Sequence, residues 1–183
     1  MPRNRASSLS RLDPRDDDDN LRVVVETPKG TRTKLVYDPD AETFCAKKIL
    51  PEGMSFPFNF GFVPSTKAED DDPLDVLVIM SETVPPGTLV SVRLVGVIEA
   101  VQTEDDGSSE RNDRLIAVAC ACDQFRDVEK LSELPDAMVD QIEHFFVTYN
   151  EEEGRQFEPK GRRGPKSAEK ILEKGLRKDA RKS

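Results

Sequence analysis

From Leu21 onward, short runs of β-branched and aliphatic residues alternate with turn residues. LRVVVET (21–27), TKLVY (33–37), DVLVIM (75–80), LVSVRLVGVIEAV (89–101) and LIAVACA (115–121) each have the length and composition of a strand. Pro28-Lys29-Gly30, Asp38-Pro39-Asp40, Pro85-Pro86-Gly87 and Asp105-Asp106-Gly107 punctuate them. Within 89–101, Val90, Val92 and Leu94 alternate with Ser91 and Arg93, the pattern of a strand with one buried face. The period changes late in the chain. Met138, Ile142, Phe145, Phe146 and Tyr149 fall at i, i+4, i+7, i+8 and i+11, which predicts a helix over 136–149 with Pro135 at its first turn. His144 projects away from that stripe, towards solvent. Residues 166–181 predict a second, basic helix with Ile171, Leu172 and Leu176 as its apolar contacts. Strands first and helices last make an α+β fold, a barrel or curled sheet packed by two helices. Residues 1–20 have no apolar periodicity and contain four consecutive Asp, so they read as a flexible leader before a single domain over 21–183.

Composition narrows the class. The 183 residues suffice for one domain, and no apolar run approaches the roughly 20 residues of a membrane-spanning helix. Residues 1–20 lack the apolar stretch of a secretory signal, and three Cys make no disulfide scaffold, so a soluble cytoplasmic protein is expected. Cys120 and Cys122, two apart on one strand, are expected to share one side as buried thiols. The net charge of −9 is uneven: residues 155–183 hold eleven Lys or Arg against four Asp or Glu, a local +7, which leaves −16 on the rest. An acidic body argues against nucleic acid as a partner, and the basic end reads as a solvated tail.

The densest chemistry is Glu69-Asp70-Asp71-Asp72-Pro73-Leu74-Asp75, directly before the strand Val76–Met80. Pro73 lacks an N–H and fixes the bend, so Asp70, Asp72 and Asp75 can converge at one strand mouth. Such carboxylates repel one another unless a hard divalent cation sits between them, and Mg²⁺ with its oxygen shell is the natural occupant. A solvated acidic turn is the other reading of the same residues.

The motif D-x-D-P-L-D-V resembles the signature of the family I soluble inorganic pyrophosphatases, and the resemblance runs from about Leu21 to Ala180. VVVETP (23–28), TKLVYD (33–38), MSFPFNFGFVP (54–64), PPGTLVSVRLVGV (85–97), LIAVA (115–119), LSELP (131–135) and QIEHFF…Y (141–149) follow that family's order and spacing. The resemblance implies a five-stranded OB-like β-barrel flanked by two α-helices, and Mg²⁺-dependent hydrolysis of pyrophosphate to two phosphates. It places Asp70 and Asp75 as metal ligands, Asp72 as the base that takes a proton from the attacking water, and Glu26 near the outer metals. Lys34, Lys48, Arg114 and Tyr149 are its phosphate-binding residues. A homo-oligomer, by resemblance a hexamer, is also expected.

The departures from the family pattern gather on function. Val36 replaces a glutamate, Lys48 an arginine, Phe56 and Phe60 two tyrosines, Asn150 a lysine and Arg114 a lysine. Gln102 and Asn112 stand where two metal-binding aspartates are expected. Asn112 could still offer Mg²⁺ a carbonyl oxygen, and it falls on the same strand face as Arg114, unlike Asp113. Asp105, Asp106 and Asp113 are the nearby acids that could compensate. The alternative to an active hydrolase is an impaired paralogue that binds phosphate ligands or serves in an assembly.

Overall fold

In a computed structural model, residues 8–68 and 71–180 are described. The strands are β1 (Leu21–Thr27), β2 (Thr33–Asp38), β3 (Thr43–Ile49), β4 (Asn59–Val63), β5 (Leu74–Ile79), β6 (Leu89–Thr103), β7 (Ser109–Arg111), β8 (Arg114–Ala119) and β9 (Gln156–Arg163). The helices are α1 (Asp136–Glu151) and α2 (Pro165–Ala180). In the order β1, β4, β5, β8 and β6, five strands pair in sequence, and β6 pairs back with β1 to close the ring. The pairing is antiparallel except between β5 and β8. This is the α+β architecture expected, a five-stranded closed sheet with two helices against it.

The ring closes around strands that are buried at most positions. Val23, Val25, Val76, Val78, Ile79, Val97, Ile98, Ile116, Ala117 and Val118 meet in one core, against which α1 lays Val139, Ile142 and Phe146, and α2 lays Ala168 and Leu172. β6 is long enough to serve several neighbours. Its first residues pair with β1, its middle with β8, and its end with both β7 and β9, with register shifts at Leu94/Gly96 and Glu99/Ala100 that let it bend. β2 and β3 form a separate hairpin over the end of β1. The Thr27 hydroxyl ties that hairpin down, donating to the Leu35 carbonyl at 2.8 Å and accepting the Leu35 N–H at 3.0 Å.

Three expectations are corrected. Residues 8–20 of the supposed flexible leader lie against the body. Leu9 and Leu12 pack on Val24, Tyr37 and Phe62, the Ser65 N–H donates to the Ser10 carbonyl, and the Ser91 hydroxyl donates to Asp16 at 2.6 Å. Asp16 also accepts the N–H groups of Asp18 and Asn20, so an acidic stretch organises its own turn. Residues 1–7 lie outside the described residues. The basic end is not wholly a solvated tail, because Gln156–Arg163 is a strand of the main sheet and its arginines find acids: Arg162 pairs with Asp140 and Glu143, and Arg163 with Glu99. Pro159 and Gly161 hid that strand, and Pro159 is accommodated opposite the shift in β6. Cys120 and Cys122 lie beyond the end of β8, where Cys120 is exposed and Cys122 buried, so they share no face. Among the described residues, no helix is long and apolar enough to cross a membrane.

Candidate active site

Where the open ends of β1, β5 and β8 meet α1 and the β2–β3 hairpin, a cavity of about 390 Å³ opens. Glu26, Lys34, Asp72, Asp75, Asn112, Arg114 and Tyr149 line it, so seven of the nine anticipated residues come together from five separate parts of the chain. Lys48 stands just behind, its ammonium 5.1 Å from the centre of the Tyr149 ring. Asp70 lies outside the described residues.

The acidic wall comes from β1 and from the bend before β5. Asp72 and Asp75 flank Pro73-Leu74, and both are exposed to the cavity. Glu26 is largely buried at the end of β1 and accepts the Tyr37 N–H at 2.6 Å. Burial pushes its carboxyl up to about 7; the Tyr37 N–H opposes that rise, the negative charge of Asp75 and Asp72 adds to it, and Lys34 counters. Among the described residues, no three acidic, histidine or cysteine side chains stand close enough to hold one ion as they are. The donor set nevertheless fits a hard divalent cation. Its members are carboxylate oxygens without sulfur or imidazole, and a carboxyl whose charge is suppressed by acidic neighbours gains most from an added positive charge. Glu26 and Asp75 are the described residues that would hold it, with Asp72 beside them on the same wall.

The cationic side is built at a visible cost. Lys34 and Lys48 are direct cross-strand partners in the β2–β3 hairpin, a like-charged pair that ordinarily destabilises a sheet. Both ammonium groups lie over the Tyr149 ring, at 5.5 Å and 5.1 Å from its centre. An anion between them is what such a pair calls for. Arg114 opens β8 with its guanidinium 4.7 Å from the Phe146 ring centre, and its Nη1 donates to Asp75 Oδ2 at 3.3 Å. Burial raises the Tyr149 hydroxyl pKa above its ordinary value, with Lys34 opposing.

The departures have structural consequences. Phe56 and Phe60 join Phe145, Phe146 and Tyr149 in a contiguous aromatic floor, so the missing hydroxyls leave no gap in packing. Asn150 is buried with its amide donating to the Phe146 carbonyl at 2.8 Å, which makes it a helix residue without a role at the cavity surface beyond lining it. Val36 lines an adjoining cavity that shares Glu26, Lys34, Asp72 and Asp75 with the first. Asn112 donates to Gln102 at 2.7 Å, and Gln102 donates to Glu104 at 2.6 Å. Asp105, Asp106 and Asp113 do not line the cavity. Asp106 caps the turn at Ser108, and Asp113 is taken up by the Ala100 N–H and by Arg111. The acids that do face the cavity on this side are Glu104, Glu110 and Glu153, joined by Arg155. Sequence reasoning missed all four. The signal available for Glu153 was its place four residues after Tyr149, about one turn further on, just past the end of α1.

The sequence model of the family described as inorganic pyrophosphatase matches residues 23–179. The chain belongs to the inorganic pyrophosphatase family. It is 33% identical over 153 residues to the inorganic pyrophosphatase of Halalkalibacterium halodurans, covering 84% of this chain and 91% of that one. It is 31% identical over 179 residues to the enzyme of Bradyrhizobium diazoefficiens, covering 97% of each. The crystal structure of inorganic pyrophosphatase from Thermus thermophilus is similar with a TM-score of 0.85 at 29% identity, over 95% of this chain and 99% of that chain. As a member of this family the protein is a metal-dependent type of hydrolase, and the acidic wall described above is where a metal would sit.

Proposed function

We infer that the protein hydrolyses inorganic pyrophosphate to two phosphates, with Mg²⁺ as its metal, as a cytoplasmic homo-oligomer of the hexameric kind. The observation that carries this reading is one cavity with carboxylates on one wall and Lys34, Arg114 and Tyr149 on the other, with Lys48 just behind Tyr149, in a chain of the inorganic pyrophosphatase family. A dianionic phosphoryl group suits the second wall, and its charge is balanced across the cavity only when cations occupy the first. Mg²⁺ bound there would supply Lewis-acid polarisation of the phosphoryl oxygens and of water.

The chain's own residues do the rest. Lys34 and Lys48 grip one phosphoryl group from the hairpin, with the Tyr149 hydroxyl as a further donor. Arg114 presents a planar fork, and its contact with the Phe146 face fixes its direction. Asp75 is oriented by Arg114 and is assigned as a metal ligand with Glu26 and Asp70. Asp72, in the exposed bend before Pro73, is assigned as the base whose carboxylate oxygen receives the proton of the attacking water. That water adds to one phosphorus as the bridging oxygen leaves with the other phosphate, and the departing oxygen takes up a proton.

The test is phosphate release from pyrophosphate across a Mg²⁺ titration. Release should saturate with Mg²⁺ and stop when a chelator removes it; release that is undetectable at every Mg²⁺ concentration would support the binding-only reading. A second expectation concerns the neutral Gln102–Asn112 wall. Asn112→Asp adds one hard anion to the cavity, so half-saturation by Mg²⁺ should fall severalfold. An unchanged Mg²⁺ dependence would mean that Asn112 lies outside the reach of any bound ion.

A further inference from the structure

Glu153 lies in the tight turn that ends α1, where the Glu153 N–H bonds to the Asn150 carbonyl at 2.9 Å. Its side chain faces the cavity rather than solvent. One oxygen, Oε1, lies 3.3 Å from the Tyr149 hydroxyl that donates to it and 3.4 Å from the Lys48 ammonium. The other, Oε2, accepts from Arg155 Nη1 at 3.2 Å. Arg155 is held from its far side by Glu104, with Nε at 2.8 Å.

All three contacts to Glu153 are longer than a well-formed charged hydrogen bond, which runs at about 2.7–2.9 Å. Two carboxylate oxygens stretched over three donors satisfy none of them well. The Lys48 Nζ records that mismatch, because it is sealed from water and makes no hydrogen bond among the described residues. Its nearest acceptor, Glu153 Oε1 at 3.4 Å, forms an ion pair without a well-formed hydrogen bond, which leaves a buried ammonium under-satisfied. A phosphoryl group has three peripheral oxygens for the same three donors. It could not join Glu153 there, since a dianion beside a carboxylate in a confined site is repelled.

We propose that Glu153 is an internal stand-in for a phosphoryl group: without substrate its carboxylate occupies Lys48, Tyr149 and Arg155, and phosphate binds by displacing it. This rests on the pyrophosphatase reading of the same cavity. It adds Arg155 to the phosphate-binding side, released when Glu153 leaves. The displacement needs only side-chain rotation at a turn whose side chain is already 23% exposed. It also sets how tightly the product is held, because the carboxylate that yields to substrate returns to help expel phosphate.

The experiment is calorimetric titration of inorganic phosphate, and of the non-hydrolysable imidodiphosphate, into the Mg²⁺-loaded protein and its Glu153→Gln variant. Removing the competing charge should tighten both ligands by about three- to tenfold, the scale of one partly exposed ion pair. The KM for pyrophosphate should fall in step. In a Lys48→Met background the gain from Glu153→Gln should shrink, since the donor being competed for is gone. Unchanged or weaker binding in Glu153→Gln, with thermal unfolding like that of the wild type, would overturn displacement and leave Glu153 as a residue that positions Tyr149 and Lys48. Hydrolysis by the wild type alongside that result would leave the pyrophosphatase reading standing. A wild type that neither hydrolyses pyrophosphate nor binds phosphate would overturn both.

Discussion

Asp72→Asn will lower the rate of pyrophosphate hydrolysis by about 10²- to 10⁴-fold at saturating Mg²⁺, the range over which a positioned general base contributes. The substitution keeps the shape and a carbonyl oxygen, so it removes basicity and charge and little else. Asp72 is singled out among the cavity acids by its place. Asp72 sits in the exposed bend before Pro73, with its main-chain carbonyl held by the Ala68 N–H at 2.7 Å, so the backbone that aims it survives the change. Its charge also works against Glu26, which means that its removal relieves strain in the metal-free protein instead of adding any. Thermal unfolding should therefore stay near that of the wild type. The result that sinks the assignment is a variant with wild-type turnover, in a protein whose wild type is shown to be active.

How far the sequence disclosed this site depends on what kind of order each residue obeys. The core strands announced themselves because β1, β5, β6 and β8 are buried on most positions, and burial enforces aliphatic runs such as Val76–Ile79. β3 and β9 were silent because their side chains are mostly exposed and charged, and a strand that pairs without a buried face leaves no alternation to read. β4 was masked by Phe, Pro and Gly, whose density suggests a loop. The packing of residues 8–20 was silent for a similar reason: two leucines and a self-capped acidic turn hold it, below the level at which periodicity is seen.

For the site, charge and motif pointed to the residues that touch ligand, while the network behind them was invisible. Asn112 and Arg114 share the cavity as strand alternation required, and Asp113 is turned away into Arg111. The chain from Asn112 through Gln102, Glu104 and Arg155 to Glu153 joins residues up to about fifty positions apart, and no local rule links them. It exists because β6 bends far enough to carry Gln102 to the turn after α1. The consequence is chemical: much of the wall opposite the hairpin is tied up in amide hydrogen bonds and ion pairs, while Glu26, Asp72 and Asp75 supply the anionic field of the acidic wall.

That field depends on the spacing of β1, β4 and β5, and Gly61 sets it. Gly61 pairs with Val25 on one side and with Val76 on the other, at the cavity wall. A Cβ added there would meet the Val24 carbonyl oxygen at 2.0 Å and Val23 Cγ1 at 2.9 Å. The first obstacle is main chain in the middle of a closed ring, so no rotamer change relieves it, and β1 must move away from β4. Gly61→Ala should therefore cost about 3 kcal/mol or more, the upper range for overpacking. For a domain of this size that lowers the unfolding temperature by roughly 6–12 °C. The site should suffer with the fold. Glu26 rides on β1, whereas Asp75 lies opposite Phe62 of β4, so separating the two strands pulls apart two carboxylates assigned to metal. Half-saturation by Mg²⁺ should rise in the same variant at temperatures where it remains folded. An unfolding temperature within about 2 °C of the wild type would mean that the ring yields far more easily than its packing implies, since that shift corresponds to less than about 1 kcal/mol.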